Sequence, residues 1–315
     1  VLEALAADAD VVCWPGEVPP SRDELVALVA GADGILTMLT ERVDGPLLDT
    51  VPSLRVVSNM AVGVDNIDVA ELTARGIPLG HTPGVLTDAT ADLTFALILA
   101  VARRVLEGDH AVHVGAWTTW QPDGFLGLEL SGATLGVVGT GAIGEAVIRR
   151  ARGFGLRILA TSRTERPIPG VTFVDLDQLL EESDIVTLHL PLSTETRHRI
   201  GRAELARMRP GAILVNTARG AIVDEEALVE ALTSGVIGGA GLDVYSVEPL
   251  PHDSPLLGLP NCVTVPHIGS ATRKTRLAMA TLAAENVMAG VRGERLPRCA
   301  NPEVYGAIAG DLVTQ

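Results

Sequence analysis

Between Thr134 and Gly144 the chain reads T-L-G-V-V-G-T-G-A-I-G: an apolar run through Leu135, Val137 and Val138, then Gly139-x-Gly141-x-x-Gly144. Beyond it, Ile143, Val147, Ala151 and Phe154 recur at helical spacing. In a chain with 33 glycines the motif alone carries little weight. Its context carries more, because a short β run ends at the first glycine and a helix opens by the third. Gly139 permits the tight turn, Gly141 lets backbone approach a pyrophosphate, and Gly144 lets helix and strand pack closely. The phosphates then meet N–H groups at the positive end of the helix. A dinucleotide site is expected here, with Thr140, Ala142 and Ile143 completing the turn.

The rest of the chain alternates strand-like and helix-like segments. Val11–Trp14 reads as a strand, Ser21–Ala30 as a helix opened by a capping box of Ser21 and Glu24, and 34–38 and 54–58 as strands flanking a helix at 44–50. Asn59 to Asp65 is then a turn at a strand's carboxyl end, followed by a helix at 67–75 and a strand at 77–79. After a crossing point at His81-Thr82-Pro83-Gly84, one long helix is expected from Thr87 to Glu107, apolar on nearly every side around Phe95–Val101. A helix without a polar stripe must be covered all round, which suggests a subunit interface. From Thr134 onward the strands read V-V, I-V-T-L and A-I-L-V, continuous rather than alternating, as in parallel strands buried on both faces. A helix from 271 to 291 leads back to the first block. The expected fold class is α/β, with two doubly wound domains. One is a Rossmann dinucleotide-binding domain over 82–272. The other is a smaller, discontinuous, flavodoxin-like substrate-binding domain from 1–81 and 273–315. The chain opens in helix-like sequence at Val1–Ala7, so a further strand is expected to precede it.

A formal net charge of −15 argues against nucleic acid or an acidic membrane surface as partner. Three cysteines, Cys13, Cys262 and Cys299, with no C-x-x-C, fit a reducing cytoplasm and give no metal site. The longest apolar stretch, 93–102, is too short to span a bilayer.

NAD-binding versions of the glycine-rich unit place an acidic residue after the second strand, where it takes the ribose hydroxyls. Here Leu156–Thr161 runs into Ser162-Arg163-Thr164, and Glu165 comes three residues late. A hydroxyl beside a guanidinium suits a 2′-phosphate, so NADPH is expected over NADH.

Three polar groups of residues sit at successive strand ends: Asn216-Thr217-Ala218-Arg219-Gly220; Gly241-Leu242-Asp243-Val244, with Glu248-Pro249 beyond it; and Pro266-His267-Ile268-Gly269-Ser270-Ala271-Thr272. Strand ends of a parallel sheet share one edge, so Arg219, Glu248 and His267 can converge there. With N-M-A-V-G-V-D-N-I-D from Asn59 and T-P-G-V-L-T-D-A-T-A-D from Thr82, these motifs resemble the D-isomer-specific 2-hydroxyacid dehydrogenase family, and within it the glyoxylate/hydroxypyruvate reductase branch. The similarity runs from about Leu54 to the end.

The resemblance implies that His267 is the general acid that protonates a substrate carbonyl as hydride arrives. Glu248 would hold the other ring nitrogen and favour the protonated ring. Arg219 would grip the substrate carboxylate and polarise the carbonyl. The backbone N–H groups of Val62 and Gly63 would complete the carboxylate site, between the domains. Asp243 would bind the cofactor on the nicotinamide side, and Thr217 and Gly269 count with the cofactor contacts. The implied partners are a small 2-oxo or 2-hydroxy acid and a second copy of the chain joined through the 87–120 region. Trp117 and Trp120 read as loop packing; the resemblance also allows Trp120 to reach a neighbouring subunit's site. Ala142 stands where relatives often carry Arg, which removes one phosphate contact. D-3-phosphoglycerate dehydrogenase is the alternative within the family, although Asn59-Met60-Ala61 offers a substrate phosphate no basic residue. A dinucleotide-sensing, corepressor-like binding module is the alternative of another class.

Overall fold

The computed structural model describes residues 1–164 and 166–306. The chain divides into two compact units, Val1–Leu86 with Thr272–Gln315, and Thr87–Ala271. The sequence motifs place those boundaries after 81 and after 272.

The first unit begins with helices α1 (Leu2–Ala6) and α2 (Arg22–Val29), the second opened by the Ser21–Glu24 capping box. Strand β1 (Gly34–Thr37), helix α3 (Gly45–Leu48), strand β2 (Val56–Asn59), helix α4 (Val69–Ala74) and strand β3 (Leu79–Gly80) follow. Asp44 and Asp68 cap α3 and α4 by accepting first-turn N–H groups. The three strands are parallel in the order β1-β2-β3, with Val57 opposite both Ile35 and Leu79. One face of the sheet packs on Leu25, Leu47, Leu48 and Leu72.

The strand expected at Val11–Trp14 does not form. These residues pair with no other strand; Val12 and Cys13 are exposed and the Trp14 indole donates locally to the Val18 carbonyl at 2.8 Å. β-branched residues favour a strand only where a partner supplies the ladder, and this stretch has none among the described residues.

The second unit opens with helices α5 (Thr87–Ala102) and α6 (Val105–His113). Strand β4 (Thr134–Val138), helix α7 (Ala142–Gly153), strands β5 (Arg157–Thr161) and β6 (Val171–Phe173), helix α8 (Leu176–Glu182) and strand β7 (Ile185–Leu188) follow. Helix α9 (Arg202–Arg207), strand β8 (Ile213–Asn216), helix α10 (Glu225–Thr233) and strands β9 (Gly239–Leu242) and β10 (Cys262–Thr264) complete it. All seven strands are parallel, in the order β10-β9-β8-β7-β4-β5-β6. β4, β7, β8 and β9 are buried at every position, which is why their sequences do not alternate. Val186, Leu188 and Leu214 face α8, α9 and α10, whereas Ile185, Ile213 and Val215 face α5 and α7. The strand order reverses between β4 and β7, so a crevice opens at their carboxyl ends, where such sheets bind ligands.

The single helix expected over 87–107 is two. The Ala102 carbonyl, which a continuing helix would give to the Leu106 N–H, instead accepts from Leu128 at 2.7 Å, and Arg104 turns left-handed with φ 52°. Around Phe95–Val101 α5 is apolar as expected. Thr90 and Thr94 are buried on the side of the strand ends, and Phe95, Leu97 and Ile98 are covered within their own unit. The apolar surface left open lies further on: Val105, Leu106, Val112, Val114, Trp117, Trp120 and Leu126 are all exposed. The two tryptophans therefore do not pack in their loop.

Helix α11 (Arg273–Val291), capped by Thr272, returns to the first unit and covers the second face of its sheet with Ala284 and Val287 against Val56. The chain beyond it runs beside β3, where the Ala300 N–H meets the Leu79 carbonyl at 2.7 Å. Among the described residues, no helix is long and apolar enough to cross a membrane.

Candidate active site

The glycine-rich turn lies at the carboxyl end of β4, beside the point where strand order reverses. Gly139 has φ 97°, and a Cβ there would stand 2.5 Å from the His189 carbonyl oxygen; a Cβ on Gly144 would stand 2.1 Å from the carbonyl oxygen of Gly139. Without a side chain at Gly139 the turn can lie against the chain after β7, and without one at Gly144 the helix can lie against the turn. Gly141, with open space where a Cβ would lie, is the N-cap of α7 and has no side chain to cap it. First-turn N–H groups are thus left for a ligand, at the end where the helix dipole favours an anion. Thr140 is buried, Ile143 half-buried, and Gly141 and Ala142 exposed. These features fit a dinucleotide pyrophosphate.

Ser162 follows β5 directly and is half-buried, and Arg163 and Thr164 are exposed beside the turn's strand. Glu165 lies outside the described residues. Arg166, which the motifs do not single out, reaches back to pair with Glu145 in the first turn of α7 and donates to the Thr140 carbonyl at 3.4 Å. It sets a guanidinium beside the turn that Ala142 leaves without one. A further basic residue in a loop of that composition carries no sequence signal of its own.

The next strand ends hold Arg219, Asp243, Glu248 and His267. Beyond β8, the Asn216 side chain donates to the Arg219 carbonyl at 2.8 Å and accepts the Ala218 N–H at 3.0 Å, which fixes the turn carrying Arg219. Gly220 lets this turn lie against the next one, since a Cβ there would fall 1.9 Å from the Tyr245 carbonyl carbon. Thr217 is buried with its hydroxyl 3.0 Å from that of Thr94.

Beyond β9, Asp243 is 1% exposed, and its carboxylate accepts the N–H groups of Ile268 at 2.6 Å and Gly269 at 2.8 Å. Burial pushes the Asp243 carboxyl up, against the pull of those two N–H groups and of His267. Asp243 thus clamps the loop after β10. At the head of that loop His267 adopts φ 51°, a left-handed conformation uncommon for histidine, with its N–H on the Asp243 carbonyl at 3.0 Å. The clamp holds the backbone in this conformation.

His267 Nδ1 lies 2.7 Å from Glu248 Oε2, and the other Glu248 oxygen accepts the Tyr245 N–H at 3.0 Å. A carboxylate facing Nδ1 makes that nitrogen the donor, so Nε2 is the end left for a reacting group. Burial works against the charge on Glu248. The hydrogen bond and charge of His267, the Tyr245 N–H and the charge of Arg219 outweigh it and hold the carboxyl below its ordinary range. Arg219, Glu248 and His267 are therefore neighbours on one sheet edge.

In the first unit, Val62 and Gly63 lie in the turn after β2. The Ala61 carbonyl accepts the Thr82 N–H at 2.8 Å, the Val62 carbonyl faces His81 Nδ1 at 3.2 Å, and the Gly63 carbonyl accepts from the Asn59 side chain at 3.0 Å. Among the described residues no acceptor meets the N–H of Val62 or Gly63. Consecutive N–H groups left bare in this way suit an anion.

The chain matches the family model described as D-isomer specific 2-hydroxyacid dehydrogenase, NAD binding domain, over residues 95–269. It is 50% identical over 296 residues to a glyoxylate reductase from Korarchaeum cryptofilum, spanning 92% of this chain and 89% of the relative. Among solved structures it resembles the TT0316 protein from Thermus thermophilus, with TM-score 0.86 and 49% identity over 90% of each chain. It also resembles an NADPH-dependent glyoxylate/hydroxypyruvate reductase from Sinorhizobium meliloti solved with NADP and malonate, with TM-score 0.81 and 35% identity over 88% of each chain.

Proposed function

The chain belongs to the D-isomer-specific 2-hydroxyacid dehydrogenase family, and on that premise we propose that it is an NADPH-preferring reductase of small 2-oxo acids, taking glyoxylate to glycolate and hydroxypyruvate to D-glycerate. The observation that carries this reading is the 2.7 Å Glu248–His267 pair on the same sheet edge as the dinucleotide turn. A bound nicotinamide cofactor would supply the hydride. His267 delivers the proton from Nε2 to the carbonyl oxygen, Glu248 keeps the ring oriented through Nδ1, and Arg219 holds the substrate carboxylate and stabilises the developing alkoxide. Within the first unit, the bare N–H groups of Val62 and Gly63 suit a substrate carboxylate. Thr217 and Gly269 belong with the cofactor contacts, and Asp243 acts on the nicotinamide end through the loop it clamps.

Gly139, Thr140, Gly141, Ala142, Ile143 and Gly144 cradle the pyrophosphate. Ser162, Arg163 and Thr164 would take the 2′-phosphate, which would favour NADPH while leaving NADH usable. The exposed apolar stretch from Val105 to Leu126 supports a homodimer, because a free surface of that character is commonly an interface. Trp120, 77% exposed, is the residue of that stretch best able to reach the partner's site. Free Cys13, Cys262 and Cys299 are consistent with a cytoplasmic enzyme. Chiral analysis of the product made from hydroxypyruvate tests the proposal. D-glycerate is expected, and L-glycerate would contradict the D-specific reduction proposed.

A further inference from the structure

His81 follows β3 directly and belongs to none of the strand-end groups that carry the reaction. Its backbone is held on both sides: its N–H donates to the Arg298 carbonyl at 3.2 Å, and its carbonyl accepts from the Asn286 side chain at 3.0 Å. Asn286 is fully buried in α11 and also accepts the Arg298 N–H at 2.9 Å, so helix and returning chain lock this point. The half-buried ring faces the Val62 carbonyl through Nδ1 at 3.2 Å. A carbonyl only accepts, so Nδ1 is the donor. Desolvation pushes this imidazole down, against the Val62 bond, and the charge of Arg298 pushes the same way.

The consequence follows from the peptide unit. In a trans peptide the C=O and N–H point in opposite directions from one plane, and the only cis bond among the described residues is Glu248–Pro249. The Val62 carbonyl and the Gly63 N–H are two ends of one such plane. Drawing the carbonyl toward His81 turns the Gly63 N–H to the opposite side. Thr82 does the same to the preceding plane, since its N–H holds the Ala61 carbonyl and so sets the Val62 N–H. One adjacent pair, His81 and Thr82, therefore orients both bare donors.

We propose that His81 is a positioning residue for the substrate carboxylate: by holding the Val62 carbonyl it aims the Gly63 N–H at the acid, without touching substrate or cofactor. This rests on the reading of the Val62–Gly63 turn as the carboxylate site. The role needs one N–H donor at the place of Nδ1, which an asparagine Nδ2 reproduces and an alanine does not.

The test uses the enzyme loaded with NADP⁺ and oxalate as an inert carboxylate probe. With ¹³C-carbonyl valine and ¹⁵N-glycine, only three Val–Gly peptides are visible, Val62–Gly63, Val114–Gly115 and Val138–Gly139. In the wild type the Gly63 resonance should shift as oxalate binds. His81→Ala should raise the oxalate Kd and the glyoxylate KM about tenfold, the loss of one oriented hydrogen bond, with kcat and the NADPH Kd within about twofold. His81→Asn should restore both constants. If His81→Ala does not fold, His81→Phe takes its place in the comparison with Asn. A Gly63 resonance blind to oxalate in the wild type overturns the carboxylate site and the proposal with it. A responsive Gly63 with unchanged KM and Kd in His81→Ala overturns the role of His81 alone.

Discussion

Glu248 Oε2 accepts the Nδ1 hydrogen of His267 at 2.7 Å, while Glu248 Oε1 is fixed by the Tyr245 N–H at 3.0 Å. The carboxylate is anchored to the loop after β9 and the imidazole to the loop after β10, so two strand ends of one sheet set the ring. Removing the ring by His267→Ala should lower kcat roughly 10²- to 10⁴-fold, the usual worth of a general acid, and leave NADPH binding nearly intact. Stopped-flow turnover and calorimetric binding on the same preparation check this, and wild-type-like turnover would remove His267 from the chemistry.

The same pair predicts a pH signature. The Glu248 carboxyl is held below its ordinary value of 4.5, with burial opposing and the His267 hydrogen bond, His267 charge, Tyr245 N–H and Arg219 charge prevailing. A carboxyl depressed in the folded state stabilises the fold above its unfolded value and loses that contribution as pH falls through its folded value. The melting temperatures of wild type and Glu248→Gln should therefore differ by a constant amount at neutral pH and converge as the pH falls below about 4.5. A gap that widens on acidification would show that the charge on Glu248 is not what the site stabilises.

Gly220 is where the two reactive turns touch. A methyl group there would lie 1.9 Å from the Tyr245 carbonyl carbon, and both neighbours are backbone that cannot rotate aside. Gly220→Ala should destabilise the unit by about 1–3 kcal/mol through overpacking and lower kcat by displacing Arg219. Denaturant unfolding beside steady-state kinetics reads both effects; an unchanged unfolding midpoint would contradict the close approach.

Much of this architecture is legible in the residues. The β4–α7 turn announces itself because two of its glycines, Gly139 and Gly144, are needed where backbone meets backbone, and the central strands do so because burial on both faces forbids polar positions. Arg219, Glu248 and His267 are legible as polar groups ending apolar strands. The break at Arg104 is not, since the chain ends α5 with a long-range bond from Leu128 to Ala102 and spends no Gly or Pro on it. Nor is the absence of a strand at Val11–Trp14, because propensity cannot report a missing partner. The clamp by Asp243 is hidden for a similar reason, as it depends on two N–H groups 25 and 26 residues further along the chain.

The proposed preference for NADPH rests on the loop after β5. Arg163→Ala should raise the KM for NADPH by roughly 10- to 100-fold, the worth of a charge-assisted hydrogen bond to phosphate, and leave the KM for NADH nearly unchanged. Equal losses with both cofactors would assign Arg163 to the shared part of the dinucleotide.

Association should depend on the apolar stretch after α5. Leu106 is 51% exposed and Trp120 77% exposed, and a charge placed among them by Leu106→Glu should convert dimer to monomer in sedimentation equilibrium. A wild-type protein that sediments as a monomer would contradict the interface.

We propose above all that this chain reduces small unphosphorylated 2-oxo acids with NADPH. The most direct measurement is kcat/KM for glyoxylate, hydroxypyruvate and 3-phosphohydroxypyruvate, each with NADPH and with NADH, followed by loss of nicotinamide absorbance. The highest values should come from glyoxylate or hydroxypyruvate with NADPH, because the Asn59-Met60-Ala61 turn offers a phosphate nothing and Arg163 offers the 2′-phosphate a guanidinium. Highest activity on the phosphorylated acid, or tight dinucleotide binding without turnover on any of the three, would contradict it.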